Sequence, residues 1–174
     1  GHSGQLVGVM GASGSGKSTL LGLLSGRAAP TSGRITLNGL GVESPEALGM
    51  IGLVPQADML LEELSVRENL LFTGRLVLDA TEAEIGGRTD ELLERIGLWE
   101  VRDLPVGNAL HKTISGGQRK RLNIALELLR NPRVLFVDEP TSGLSSKDSE
   151  QLMELLKELT FQGTLVVAVI HQQT

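Results

Sequence analysis

The sequence predicts an α/β fold with a mainly parallel sheet and an inserted α-helical segment. Three observations carry this reading. Five short apolar runs, Leu6–Met10, Arg34–Leu37, Met50–Val54, Val134–Val137 and Leu165–Ile170, have the length and side-chain content of strands. Helical patterns alternate with them toward both ends of the chain, the order that builds a parallel sheet. The middle, from about Leu60 to Thr113, contains no convincing strand and reads as helix.

Each element has a local reason. Several of the strand runs are apolar throughout, as in sheets covered on both faces. Lys17–Ser25 reads as a short helix stopped by Gly26, a residue suited to a C-terminal cap. Ser65-Val66-Arg67-Glu68 is a capping box that opens a helix carrying Leu70, Leu71 and Leu76. Thr81-Glu82-Ala83-Glu84 is a second box, and Gly86-Gly87 is expected to weaken the helix behind it. Gly116–Arg130 and Ser146–Leu159 complete the helices. No repeat, linker or low-complexity stretch interrupts them.

Composition bounds the function. The 174 residues suit one domain with a buried core, and 16 basic against 21 acidic side chains give a net charge of −5. That balance offers no electrostatic reason for a nucleic-acid partner, and none is expected. The absence of cysteine excludes a disulfide framework, a thiolate metal site and a thiol nucleophile. No apolar run approaches the roughly 18–20 residues needed to cross a bilayer. The opening Gly1-His2-Ser3-Gly4 has no signal-peptide pattern. Aromatic residues make up 2% of the chain, so the core must be aliphatic and few rings can stack on a flat ligand.

Gly11-Ala12-Ser13-Gly14-Ser15-Gly16-Lys17-Ser18 matches G-x-x-x-x-G-K-[ST], placed directly after a strand and at the start of a helix. Glycines at these positions let successive backbone N–H groups curl around phosphate oxygens. The helix N-terminus adds partial positive charge. The expected phosphate-binding residues are Gly11, Ser13, Gly14, Ser15, Gly16, Lys17, Ser18 and Thr19. Lys17 is expected to reach the β- and γ-phosphates, with the Ser18 hydroxyl on Mg²⁺. The plain alternative is a Gly/Ser-rich turn. The strand–loop–helix context and the Lys-Ser register favour the phosphate cradle of a P-loop nucleotide hydrolase.

Val134-Leu135-Phe136-Val137-Asp138-Glu139 is an apolar strand ending in two carboxylates. Beside such a cradle, Asp138 is placed to hold the Mg²⁺ shell and Glu139 to orient and polarise an attacking water. Alone, the pair reads equally well as an exposed turn.

Ser115-Gly116-Gly117-Gln118 opens the next long helix, followed by Arg119-Lys120-Arg121. Taken singly, these are a flexible N-cap and a solvated basic face. Set between the cradle and the acid pair, the segment resembles the signature motif of ATP-binding cassette (ABC) transporter nucleotide-binding domains. The resemblance spans nearly the whole chain. The cradle matches the family's Walker A motif and Asp138-Glu139 its Walker B pair. Gln56 matches the Q-loop glutamine and His171 the switch histidine, although either alone reads as an ordinary surface residue. Val9-Met10-Gly11-Ala12-Ser13-Gly14, Leu64–Leu70, Gly117–Arg121 and Ile170-His171-Gln172-Gln173 resemble the G-type (White-like) branch. Members of that branch typically export lipids, sterols, pigment precursors or drugs.

The resemblance implies a mechanism and a set of partners. Glu139, His171, Lys17 and Gln56 are the implied catalytic residues, with Ser18, Gln56 and Asp138 on the metal. ATP and Mg²⁺ are the implied ligands. Ser115, Gly116, Gly117 and Gln118 would contact the ATP held by an opposite protomer, so the partners are a second nucleotide-binding domain, expected as a homodimer, and a transmembrane domain. Residues 1–56 and 116–174 would form the RecA-like α/β core, and 57–115 the α-helical signature subdomain. The location implied is the cytoplasmic face of a membrane, held there through the transmembrane domain.

One departure stands out. The family usually reads Ser-x-Leu-Asp after the Walker B pair, whereas Ser145 follows Ser142-Gly143-Leu144 here. The charge lost at that position normally serves contacts between protomers, and its loss bears on communication between the two sites. The resemblance further implies a cassette trimmed at both ends. It lacks the preceding strand pair whose aromatic residue stacks on adenine, so weak activity and little preference for ATP over GTP are expected. Two other readings stand beside the transporter. One is an ABC ATPase without a membrane domain, although the short stretch from Gln56 to Ser115 excludes the coiled-coil repair type. The other is a nucleotide-binding regulatory module.

Overall fold

A computed structural model describes residues 1–108, 110–111 and 113–171, with the side chain of His171 outside that set. Four strands, β1 (Leu6–Gly11), β4 (Ile51–Val54), β5 (Val134–Asp138) and β6 (Leu165–His171), form one sheet in the order β1-β6-β5-β4. Every pairing is parallel. The register sets Gly11 opposite His171, Asp138 opposite Val169 and Val54 opposite Val137. The C-terminal ends of all four strands therefore share one edge of the sheet, where open α/β folds place their ligands.

Central β5 is buried from Val134 to Val137, as its unbroken apolar run predicts. Edge strand β1 alternates exposed and half-buried residues instead, and its Met10 is 64% exposed. Leu21, Val42, Ile51, Val134, Phe136, Val167 and Val169 make the buried cluster on the sheet, with Val7, Val9 and Leu24 packed against it. Apart from Phe136 this cluster is aliphatic, as the scarcity of rings requires.

The run Arg34–Leu37 departs from the expectation. Its last two residues form β2 (Thr36–Leu37), which pairs antiparallel with β3 (Leu40–Gly41) in a separate two-stranded sheet. Asn38 and Gly39, at φ 51° and 83°, make the tight connection. Two successive residues with positive φ are what a two-residue hairpin of this twist demands, and Asn-Gly supplies them cheaply.

Helix α1 (Lys17–Leu24) ends as predicted. Ser25 caps it, and Gly26 takes φ 74°, close enough to Val42 that an added Cβ would stand 2.5 Å from its carbonyl oxygen. A four-residue helix, α2 (Pro45–Leu48), follows, with Ser44 as its N-cap.

The chain divides into two compact units. The first comprises Gly1–Gln56, Asn131–Ser142 and Leu156–Thr174, and contains the parallel sheet. The second comprises Ala57–Arg130 and Gly143–Leu155. It holds α3 (Val66–Val77), α4 (Glu82–Arg95), a 3-10 turn at Trp99–Val101, α5 (Gly116–Leu128) and the first turns of α6 (Ser146–Phe161). Both predicted capping boxes are closed, Ser65 with Glu68 and Thr81 with Glu84. Helix α4 runs unbroken through Gly86-Gly87. Ile85, Thr89, Leu92 and Leu93 are buried along it, and α3 packs closely enough that a Cβ on Gly74 would meet Ile85 at 2.7 Å. Tertiary burial thus outweighs the roughly 1 kcal/mol per glycine that local propensity costs. No described helix is long and apolar enough to cross a membrane.

Candidate functional site

The loop between β1 and α1 is shaped by glycine. Gly14 and Gly16 take φ 76° and 90°, conformations that side-chain-bearing residues reach only with strain. Gly16 is also the N-cap of α1 and brings no side chain to cap the helix's leading N–H groups. Gly11 lies so close to Ser15 that a Cβ would stand 2.8 Å from the serine oxygen.

Lys17 is buried, and its ammonium folds back across the loop. Nζ donates to the carbonyl oxygens of Gly11 at 2.7 Å and Ala12 at 2.6 Å, and lies 3.5 Å from Ser15 Oγ. A positive charge is thereby held over a ring of backbone groups beside an uncapped helix N-terminus. This combination attracts polyanions. Ser13, Ser18 and Thr19 are exposed on the same loop and first turn.

At the neighbouring strand ends, Asp138 is the last residue of β5 and Glu139 is the first beyond it. Glu139 takes φ 45°, a left-handed conformation that costs a non-glycine residue roughly 1–2 kcal/mol. Its N–H donates to the Val169 carbonyl at 2.9 Å, which fixes the turn against β6. Its carboxylate accepts a hydrogen bond from Gln56 Nε2 at 2.8 Å. Gln56 lies two residues beyond β4, and the β4–β5 pairing brings these residues together across the chain. His171 ends β6 opposite Gly11, beside the start of the loop. Its side chain, which the sequence reading placed at the γ-phosphate, lies outside the described residues.

In the second unit, Ser115 is the N-cap of α5. Ser115 Oγ accepts from the Gln118 N–H at 3.1 Å, and Gln118 Oε1 accepts from the Ser115 N–H at 2.7 Å. The expected flexible cap is therefore a closed capping box in which glutamine takes the place of glutamate. Accepting this bond leaves the Ser115 hydroxyl its own hydrogen to donate. Gly116 and Gly117 form the first turn behind it.

Arg119 and Arg121 depart from the expected solvated face. Arg119 Nε meets Asp58 Oδ2 at 2.6 Å with only 14% of the arginine side chain exposed. Its Nη1 reaches the Val106 and Gly107 carbonyls. Asn123, also buried, accepts from the Met59 N–H and donates to Asp58. The segment just after Gln56 is thus fastened to α5. Arg121 Nη1 donates to Gln151 of α6 at 2.7 Å. Desolvation pulls the Arg121 guanidinium below its ordinary pKa, and the field of Asp148 opposes that shift.

Residues 2–142 match the family model described as ABC transporter. The chain belongs to the ABC transporter family. It is 45% identical over 173 residues to the ABC-type transporter claG of Penicillium crustosum, covering 98% of this chain and 23% of that protein. With ABC transporter G family member 13 of Arabidopsis thaliana it shares 40% identity, covering 99% of this chain and 26% of the relative. Among solved structures, cbiO1 of Clostridium perfringens, part of the ABC transporter complex cbiONQ, superposes with a TM-score of 0.85. That match is 32% identical and covers 98% of this chain and 68% of the other. The chain spans about a quarter of the length of these curated relatives. It is a G-type ABC nucleotide-binding domain with the P-loop α/β fold, of an ATP-binding, ATPase family.

For this ABC domain, the sequence reading missed Asp58, Asn123 and Asp148. Asp58 and Asn123 carried no local signal, since each acts through a partner far along the chain.

Proposed function

We propose that this domain binds Mg-ATP at the β1–α1 loop and hydrolyses it through Glu139 as the motor of a transporter. The observation that carries the proposal is the gathering of Lys17, Asp138, Glu139, Gln56 and the backbone of His171 at one edge of the parallel sheet. Gly11, Ser13, Gly14, Ser15, Gly16, Ser18 and Thr19 would surround the phosphates. Lys17 would exchange its two carbonyl partners for β- and γ-phosphate oxygens, keeping charge-assisted hydrogen bonds throughout. The uncapped helix start and glycine-shaped loop fit a polyphosphate. Ser18, Asp138 and Gln56 supply the hard oxygen donors that Mg²⁺ takes alongside phosphate. Mg²⁺ there would screen the phosphate charge.

Glu139 would orient the attacking water and accept its proton, with Gln56 fixing the carboxylate. His171 would act at the γ-phosphate. Ser115, Gly116, Gly117 and Gln118 present a hydroxyl and helix-terminal N–H groups that serve the γ-phosphate of a second chain's nucleotide. Such donors stabilise spreading charge only in the assembled site. This supports a head-to-tail homodimer enclosing two ATP molecules. Closure would drive export through a transmembrane domain, with the motor at the cytoplasmic face.

ATPase specific activity measured against protein concentration tests the shared site. It should rise with concentration through the dimerisation range, and a flat profile down to nanomolar protein overturns the two-chain site.

A further inference from the structure

The first turn of α6 sits directly against the signature turn. A Cβ built on Gly117 would stand 2.3 Å from Asp148 Oδ1 and 2.6 Å from Asp148 Cβ, so the carboxylate lies on the glycine itself. Asp148 is held in that pose from behind. Ser145 Oγ donates to Asp148 Oδ2 at 2.9 Å and accepts from the Asp148 N–H at 3.1 Å. One turn further along both helices, Arg121 bonds Gln151. Among the described residues the buried Nε of Arg121 has no hydrogen-bond partner, and the field of Asp148 favours its charge. Two helical stripes therefore face each other, Gly117 and Arg121 on α5 against Asp148 and Gln151 on α6. Ser145 is the latch of this arrangement.

We propose that Asp148, latched by Ser145, is a positioning residue for the ATP-recognising turn Ser115–Gln118, seating that turn through its contact with Gly117. Serine suits position 145 for this purpose. Its hydroxyl caps the helix and orients the carboxylate with a single oxygen that both donates and accepts, which an ionised aspartate cannot do. The segment following the Walker B pair is joined in this way, within one chain, to the turn that serves the partner's nucleotide. The Asp148 carboxylate is directed at the chain's own signature helix. This inference rests on the proposed role of Ser115–Gln118.

The test uses steady-state Mg-ATP hydrolysis by the intact protein, with Asp148→Asn, Asp148→Glu, Ser145→Ala and, as a control for the chemistry, Glu139→Gln. Asp148→Asn and Ser145→Ala should each raise KM for ATP about tenfold, with kcat within about twofold; Asp148→Asn should melt as the parent does, and Ser145→Ala somewhat lower because it also gives up its helix cap. Asp148→Glu should recover part of the loss. A structural role alone would lower kcat through a smaller active fraction, alongside a lower melting temperature, and leave KM in place. That result, or unchanged KM in both variants, overturns the clamp. If Asp148→Asn does not fold, Ser145→Ala decides alone, since its exposed hydroxyl can be removed without leaving a cavity. Normal turnover by Glu139→Gln would instead remove the ATPase mechanism beneath the inference.

Discussion

Gln56 Nε2 donates to Glu139 Oε2 at 2.8 Å, joining residues 83 positions apart at the ends of adjacent parallel strands. The carboxylate proposed to orient water is therefore itself oriented, on a backbone already held in a left-handed conformation. Removing the amide in Gln56→Ala should lower kcat about ten- to a hundredfold, the scale at which small misplacements of a reacting group act. ATP affinity should fall less, because the phosphate loop is untouched. Paired turnover and binding measurements check this, and an unchanged kcat would show that the contact does not serve catalysis.

Three closed capping boxes occur in the second unit, and they provide an internal control. Ser65→Ala, Thr81→Ala and Ser115→Ala should each cost about 1 kcal/mol in denaturant unfolding. Only Ser115→Ala should also reduce ATPase activity, since its hydroxyl is the one proposed to meet phosphate. Equal activity in all three variants would leave Ser115 a cap and nothing more.

The boxes also differ in their response to pH. The Ser65 backbone N–H and hydroxyl hold the Glu68 carboxylate below its ordinary pKa of 4.5, and Thr81 does the same for Glu84. A lowered folded pKa contributes stability that is present above the ordinary value and is lost as pH falls through the folded value. The Ser115 box closes through neutral Gln118 and has no such dependence. Amide chemical shifts of Ser65 and Thr81 should therefore titrate below pH 4.5, while that of Ser115 stays level.

Gly87 in α4 has nothing within 4 Å of the position a Cβ would take, and its φ is not in the left-handed region. Gly87→Ala should stabilise the protein by about 0.4–1 kcal/mol, mostly by restricting the unfolded chain. Chemical denaturation measures it, and destabilisation would mean that α4 depends on the glycine.

These cases show what was legible in the sequence. The glycine-shaped loop after β1, the four strands of the parallel sheet and two capping boxes were readable because each is written in residues a few positions apart. The hairpin Thr36–Gly41 was missed although Asn38-Gly39 marks it, because strands of two residues show no alternation. Arg119 read as solvated, because its carboxylate partner Asp58 is 61 positions away and a helix pattern does not show which charged residue will meet it. Gly117 was assigned to the signature turn, but the side chain that crowds it, Asp148, comes from another helix. Chemistry held within one turn of chain was visible; chemistry assembled by strand register and helix contact was not.

The central claim is that Glu139 carries out hydrolysis at a site where Lys17 and the loop carry out binding. Glu139→Gln keeps the size of the side chain and its ability to hydrogen-bond while removing the base. Mg-ATP binding and phosphate release, measured on the same preparation, should show retained affinity and turnover reduced by about a hundredfold or more. Phosphate release at the unsubstituted rate would contradict the account.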